Sequence, residues 1–335
     1  MIRIRFGLLA ASLALLACLA GPPAMAGAPD APPPPLPERL EASKDPLAEL
    51  VRRVRAEPQR FSYTDLSLAL AAEIYPDLKG EKEREVRAAL ERHAAALKEL
   101  LRAAPDGHAV ARRFGEFLFD KLELGTAREL KPEEENPDDY FPHTVLEKKR
   151  GVCLGLSMVY LCLAEQAGVP LQPVHAPQHI FLRYDDGKLV LNIEATLRGR
   201  VFTEPEFLRW HRLKPEDLKR GDYFRALGKL EVLGDLLNAA AWCSAIGTAN
   251  HKLPPERAVL AAELCAELGP RDFNNWDTLA EALKYAGRHA EALAAFRKAL
   301  GLRPPEMGAY NKEYWEQRLA RFERAAAGQA EAPAK

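Results

Sequence analysis

The fold is decided by residues 151–170, which read GVCLGLSMVYLCLAEQAGVP. Apolar side chains stand on nearly every side of a helix drawn through this stretch, and Gly168 followed by Pro170 is a usual helix end. We therefore predict a centrally buried helix. Cys153 stands at its N-terminus, where the macrodipole and the free backbone N–H groups stabilise a thiolate. This position makes Cys153 a candidate nucleophile.

A β-hairpin is predicted shortly after this helix. Two short apolar runs flank Asp186-Gly187, and Asp-Gly between such runs is typical of a two-residue turn. Counting back from this turn along both strands places His179 directly opposite Glu194. Directly opposed side chains share one face, with Cβ atoms about 5 Å apart. Glu194 can then orient an imidazole that activates the Cys153 thiol, so Cys153, His179 and Glu194 form a candidate catalytic triad.

Other polar residues near these elements are interpreted differently. Strand alternation puts Asn192 on the face of Glu194, so Asn192 is an alternative partner for the His179 ring. Cys162 lies inside the apolar helix and is expected to be unreactive core. His143 and His175 have no metal-ligand spacing to the cysteines, so we predict neither a metal site nor a cofactor.

The N-terminus has the features of an export signal. Arg3 and Arg5 precede an apolar run over residues 6–20, and Ala24-Met25-Ala26 has the small residues of a cleavage site. We predict a secretory signal peptide over residues 1–26 and a periplasmic or secreted protein. The run is too short for a membrane span. Alternatively, the residues ending at Cys18 resemble a bacterial lipoprotein signal, which would leave Cys18 acylated.

Composition limits the remaining function classes. The net charge is −1 and the charged residues are well mixed, so no nucleic-acid partner is expected. Four cysteines follow the predicted cleavage site, which is too few for a disulfide-built scaffold. Cys243 and Cys265 fall on two helices of one predicted repeat, so a disulfide between them stays an open alternative.

The chain is long enough for about two domains. A Pro-rich linker is predicted over residues 27–44, a folded domain with a helical N-terminal part over 45–225, and a disordered tail over 325–335. Residues 226–324 contain an internal repeat with a period of 34 residues, which is typical of tetratricopeptide helix pairs. The repeat relates Trp242, Ala258 and Pro270 to Trp276, Ala292 and Pro304.

These motifs together resemble a known family. The Gly-x-Cys that opens a buried helix, the Gly168-Val169-Pro170 exit and a His fifteen residues before an acidic residue resemble the transglutaminase-like superfamily. Residues 140–146, 150–170 and 176–179 look like its SirB-type branch, in which a helical region precedes the core and tetratricopeptide repeats often follow. The resemblance implies an α+β fold with the central helix packed on a small antiparallel sheet.

The same resemblance implies roles for the three candidate residues. Cys153 would be the nucleophile, His179 the general base and Glu194 the acid that orients the imidazole, although the superfamily usually has Asp in that position. The expected function is that of an exported cysteine hydrolase or transamidase that acts on an amide of a peptide or protein. The alternative is a non-catalytic scaffold in the cell envelope whose tetratricopeptide repeats bind a protein partner.

Overall fold

The computed structural model describes residues 37–127, 134–211, 213, 218, 223–247, 251–303 and 312–329. The predicted signal peptide, with Cys18, and most of the predicted tail lie outside this part of the chain. No helix among the described residues is long and apolar enough to cross a membrane.

Helices make up the N-terminal part of the fold. They are α1 (Glu38–Glu41), α2 (Pro46–Ala56), α3 (Tyr63–Ile74), α4 (Glu81–Leu101) and α5 (Gly107–Glu116). Asp45 caps α2 by accepting a hydrogen bond from the Leu47 N–H, and a capping box between Ser62 and Asp65 starts α3. The short helix α1 lies inside the range predicted to be linker, because Leu40 is buried in the core.

One small antiparallel sheet positions the candidate site. Two short strands, β1 (Gly125–Thr126) and β2 (Arg150–Gly151), pair with each other in parallel, separately from this sheet. The sheet consists of β3 (Leu171–Ala176), β4 (His179–Asp185), β5 (Val190–Glu194) and β6 (Arg200–Phe202), in the order β3-β4-β5-β6. Helices α6 (Pro142–Lys148) and α7 (Cys153–Ala167) precede the sheet in the chain, and α8 (Glu204–Trp210) follows it.

The predicted central helix is confirmed. Every residue from 154 to 164 in α7 is buried, and Gly168 ends the helix in the left-handed conformation with a φ of 74°. Gly155 is needed for the packing of this helix, because a Cβ at that position would stand 2.1 Å from the backbone oxygen of Asp139. The chain before α7 therefore lies directly against its first turn.

The predicted two-residue turn is wrong. Asp185 pairs with Val190, which leaves a four-residue loop instead of two residues. Asp186 widens the loop, since its carboxylate accepts hydrogen bonds from the N–H groups of Lys188 and Leu189 at 2.9 and 2.8 Å. The strands have slipped by two residues, so His179 and Glu194 keep the same face but are no longer directly opposed.

In the described part of the chain, five more helices follow α8. They are α9 (Lys229–Ile246), α10 (Pro255–Leu268), α11 (Phe273–Tyr285), α12 (His289–Leu302) and α13 (Lys312–Ala326). Helix α9 packs on α10, and α11 packs on α12, and α12 begins 34 residues after α10. Helix α13 continues through Ala326, so the first residues of the predicted tail are helical. The described residues are mostly helical and include one antiparallel sheet, which agrees with the predicted α+β class.

The C-terminal helices pack on the rest of the molecule. Arg257 of α10 forms ion pairs with Asp45 and Glu73, both at 2.9 Å, and Lys229 of α9 pairs with Glu165 of α7. The described residues accordingly group as one compact unit. The predicted domain boundary at 225/226 stays a prediction.

Candidate catalytic site

Cys153 is the first residue of α7 and is half-buried. The residue before it, Val152, has no side-chain acceptor and forms no capping bond. The first N–H groups of a helix have no intrahelical partner, so the start of α7 keeps donors available for a carbonyl oxygen or an anion. The other described cysteines, Cys162, Cys243 and Cys265, are fully buried free thiols, and no disulfide joins the last two.

The segment before α7 is fixed by a buried carboxylate. Asp139 has no exposed side-chain surface, and its Oδ1 accepts a hydrogen bond from Arg150 Nε at 2.9 Å. Its backbone oxygen accepts from the Val152 N–H at 3.1 Å. These bonds join Asp139, which precedes α6, to Arg150 and Val152, which lead into α7. Cys153 therefore begins α7 at a defined position.

His179 begins β4 directly after the tight turn at Pro177-Gln178. Gln178 adopts the left-handed conformation, with a φ of 53°, which is uncommon for a residue other than glycine. The His179 side chain is 16% exposed, and its Nε2 lies 2.7 Å from Oε2 of Glu194. This bond occupies Nε2, so Nδ1 is the ring nitrogen left for the thiol of Cys153.

Glu194 ends β5 and is fully buried. In the register of β4 and β5 its direct neighbour would be Phe181, so it meets His179 on the diagonal, which long side chains span. Its second oxygen, Oε1, accepts hydrogen bonds from the backbone N–H of Thr196 at 2.8 Å and from the Thr196 hydroxyl at 2.5 Å. Both carboxylate oxygens are therefore used, and the group is held in one orientation.

The electrostatics favour a charged imidazole beside the thiol. Burial lowers the pKa of His179, but hydrogen bonds and charge from Cys153 and Glu194 outweigh it and raise that pKa to about 10. Burial raises the pKa of Glu194, whereas the hydrogen bond and charge of His179 and the bonds from Thr196 lower it overall. A protonated His179 beside Cys153, held by the Glu194 carboxylate, is the arrangement that an activated cysteine site requires.

Asn192 does not take the place of Glu194. Its Oδ1 accepts a hydrogen bond from Arg183 Nε at 3.1 Å, on the neighbouring strand. The alternative in which Asn192 orients His179 is therefore not what the structure contains.

Sequence reasoning missed His211. This residue follows α8, and its ring stacks on the His179 ring with centroids 5.3 Å apart and planes 27° apart. Phe207 stacks on the other side of His211 at 5.0 Å and 29°. No spacing or periodicity in the sequence links His211 to His179, because the contact depends on how α8 crosses the sheet.

Comparisons with known proteins bear on the same region. Residues 84–238 match the family model for the transglutaminase-like superfamily. This transglutaminase-like region contains Cys153, His179 and Glu194. F-box only protein 21 from mouse, from Pongo abelii and from human is in each case 40% identical over 52 residues, which is 16% of this chain and 8% of theirs. The chain thus spans a small fraction of those relatives.

A solved structure also shows limited similarity. It is a crystal structure of menin, described as revealing the binding site for the Mixed Lineage Leukemia protein, with a TM-score of 0.37 and 13% identity over 77% of this chain and 70% of the menin chain.

Proposed function

We propose that this protein is a transglutaminase-like cysteine hydrolase or transamidase that acts on amide bonds through Cys153, His179 and Glu194. The observation that carries the proposal is the buried pair of His179 and Glu194, joined at 2.7 Å, with Cys153 as the other partner of the imidazole. The match of residues 84–238 to the transglutaminase-like superfamily supports the same class of chemistry.

The chemistry follows from the position of each group. The Cys153 sulfur attacks the amide carbonyl carbon, and the N–H groups at the start of α7 receive the negative charge on the oxygen. His179 gives its proton to the departing nitrogen, which leaves as an amine or ammonia and gives a thioester on Cys153. Glu194 keeps the imidazole oriented and stabilises its charge during both steps.

The thioester has two possible acceptors. Water gives hydrolysis and returns a carboxylate, whereas a primary amine gives a new amide, and in both cases His179 accepts the proton of the attacking group. The substrate class we propose is the amide of a peptide or protein.

Two finer assignments belong to the same proposal. The motifs at residues 140–146, 150–170 and 176–179 support placement in the SirB-type branch. The 34-residue period and the packing of α9 on α10 and α11 on α12 support tetratricopeptide repeats. Because α9 packs against α2 and α3, we assign these repeats a buttressing role beside any protein binding.

Export is proposed from the N-terminal sequence. Arg3, Arg5, the apolar run and Ala24-Met25-Ala26 support cleavage after Ala26 and a periplasmic or secreted location. Intact-mass analysis of the protein from its native host tests this. A mature chain that begins at Gly27 is expected, diacylglycerol on Cys18 would select the lipoprotein variant, and an uncleaved terminus would contradict export.

The catalytic proposal is tested on the full chain with a panel of blocked peptide amides, with and without an added primary amine. Products are identified by mass, which separates hydrolysis from transamidation. Cys153→Ala and His179→Ala are each expected to abolish turnover, because one removes the nucleophile and the other its base. Cys162→Ala, a change in the same helix, is the control and is expected to keep the activity.

A thiol measurement supports this test without a known substrate. Cys153 is expected to react with iodoacetamide at pH 6, well below the free cysteine pKa of about 8.5. Full activity in Cys153→Ala, or slow alkylation of Cys153 at pH 6, would contradict catalysis by Cys153. Either result would favour the non-catalytic scaffold.

A further inference from the structure

The ring of His179 belongs to a continuous aromatic stack. His211 lies between His179 and Phe207, with centroid distances of 5.3 and 5.0 Å and interplanar angles of 27° and 29°. Phe207 has no exposed surface and packs at 4.3 Å on Phe181 of β4. The stack thus joins the imidazole of the candidate triad to an aromatic core under α8.

His179 needs such a support because its other restraints leave one motion free. The bond from Nε2 to Glu194 fixes one edge of the ring but allows the ring to turn about that bond. A turn of this kind swings Nδ1 away from Cys153. A flat ring stacked on the face of His179 blocks the motion, since tilting would drive the two rings into each other.

His211 is suited to this position because it stays uncharged. Its Nε2 is buried and has no hydrogen-bond partner among the described residues, so a proton there would be poorly solvated. Burial, and then the positive charge of His179, lower the pKa of His211 to about 4. At neutral pH a neutral ring therefore faces an imidazolium, which is an attractive arrangement, whereas two charged rings would repel.

We propose that His211 is a positioning residue, whose ring, stacked between Phe207 and His179, holds the His179 imidazolium in the plane that brings Nδ1 to Cys153. This inference rests on the proposed function and adds a member to the site. The charged and titratable groups that face the His179 ring in the described part of the chain are Cys153 from α7, Glu194 from β5 and His211 after α8.

The test is the pH profile of Cys153 alkylation by iodoacetamide, measured on the full chain and on two substitutions at position 211. His211→Ala removes the ring, and His211→Phe keeps a flat ring without nitrogens. In His211→Ala the midpoint of the profile is expected to rise by about half a pH unit or more, which makes alkylation about three-fold slower on the acid side. In His211→Phe the midpoint is expected to stay near the wild-type value, because stacking persists.

His251→Ala is the matched control. The His251 ring also packs on an aromatic ring, that of Tyr75, at 4.8 Å, but outside the candidate site. It is expected to leave the alkylation profile unchanged, and thermal melting of all variants identifies general loss of packing. An unchanged profile in His211→Ala, or a profile in His211→Phe that matches His211→Ala, would overturn the proposal.

The same measurements separate the role of His211 from the catalytic function of the site. A low midpoint in the wild type that does not move in His211→Ala removes only the role of His211. A low wild-type midpoint that rises in His211→Ala, with no turnover of any amide, supports the positioning role of His211 but contradicts the proposed catalytic function. A wild-type midpoint near the free cysteine value of about 8.5 overturns both, because no ion pair would then exist to position.

Discussion

At the scale of single residues, the length of the Glu194 side chain matches the slipped register of the hairpin. The superfamily pattern that the motifs resemble usually has Asp here, and Glu194 is longer by one methylene. In the structure Glu194 meets His179 on the diagonal rather than directly across the strands. The longer side chain supplies the reach that this offset requires.

Glu194→Asp is therefore expected to weaken the site in this protein. The shortened carboxylate loses its bond to His179 Nε2, so the raised pKa of His179 should fall toward the ordinary value of about 6.5. Titration of the His179 ring by NMR measures the shift, and Cys153 alkylation at pH 6 should slow in parallel. Glu231→Asp, the same shortening at a carboxylate that pairs with Arg225 and not with His179, should leave both unchanged. A His179 pKa that stays near 10 in Glu194→Asp would refute this account.

Gly155 shows a second kind of residue-scale constraint. A methyl group there would stand 2.1 Å from the backbone oxygen of Asp139, and backbone cannot move aside as a flexible side chain can. Gly155→Ala is expected to lower the free energy of unfolding by about 1–3 kcal/mol or more, measured by chemical denaturation.

A matched glycine gives the opposite expectation. Gly301 lies in α12 with nothing within 4 Å of an added Cβ. Gly301→Ala should be neutral or stabilising by up to about 1 kcal/mol, because alanine reduces the freedom of the unfolded chain. If Gly155→Ala behaves as Gly301→Ala does, the close approach of residue 139 to α7 is not real.

At the scale of elements, the sequence predicted what depends on local pattern. The buried helix α7 follows from an unbroken apolar stretch ended by Gly168, and the position of Cys153 at its start follows from the same stretch. The hairpin itself follows from Asp186-Gly187. The register of the hairpin could not be predicted in the same way. The Asp186 carboxylate accepts hydrogen bonds from two backbone N–H groups and widens the loop, and the amino-acid sequence does not show whether these bonds or a two-residue turn will form.

Long-range contacts mark the limit of such prediction. His179 and Glu194 remained together despite the wrong register, since a slip of two residues keeps both on one face. The stack of His211 on His179 has no local signal at all, because it joins a residue after α8 to the start of β4. The His179–Glu194 pair was thus predictable because strand alternation controls it. The His211–His179 stack was not, because it depends on packing between elements.

Buried ion pairs hold helix α13 on helix α11. Arg318 is 6% exposed and its guanidinium donates to Asp277 at 2.7 Å and to Glu281 at 2.6 Å, both on α11. Removal of the cation leaves two buried carboxylates without this partner, so Arg318→Ala is expected to cost about 3–5 kcal/mol of stability. Denaturation with urea measures it.

The control lies on the same helix. Arg324 is exposed, and Arg324→Ala is expected to change stability by no more than about 0.5 kcal/mol. Equal effects of the two substitutions would mean that α13 contributes only apolar contacts, through Trp315 and Phe322.

At the scale of the whole molecule, the repeat region and the sheet are parts of one packed body. Besides the ion pairs of Arg257 and Lys229, an ion pair joins Arg39 of α1 to Glu263 of α10 at 2.6 Å. The sequence indicated two domains because the helical period begins near residue 226. The contacts of α9 with α2 and α3 could not be predicted from the sequence. Helix α9 is apolar on most sides, and an apolar face does not show which element will cover it.

His175 and Asp235 join the sheet to the repeat helices and give this body a measurable pH dependence. His175 Nε2 on β3 lies 2.8 Å from Asp235 Oδ2 on α9. Burial lowers the pKa of His175, but the charge and hydrogen bond of Asp235 outweigh it and raise that pKa to about 9. A folded pKa above the unfolded value of about 6.5 means that the protonated pair stabilises the fold fully below pH 6.5 and loses this effect as the pH rises through 9.

Asp235→Asn is therefore expected to lower the melting temperature most at pH 6 and progressively less up to pH 9.5. Each unit of pKa shift corresponds to about 1.4 kcal/mol, so a loss of several degrees at pH 6 is expected for a chain of this size. His179 titrates in an overlapping range, and the difference between variant and wild type at each pH removes its contribution. Asp120→Asn, at an exposed ion pair with Arg198, should show no such trend. A difference between Asp235→Asn and wild type that stays constant from pH 6 to 9.5 would mean that His175 is not charged in the fold and that shape alone holds the sheet against α9.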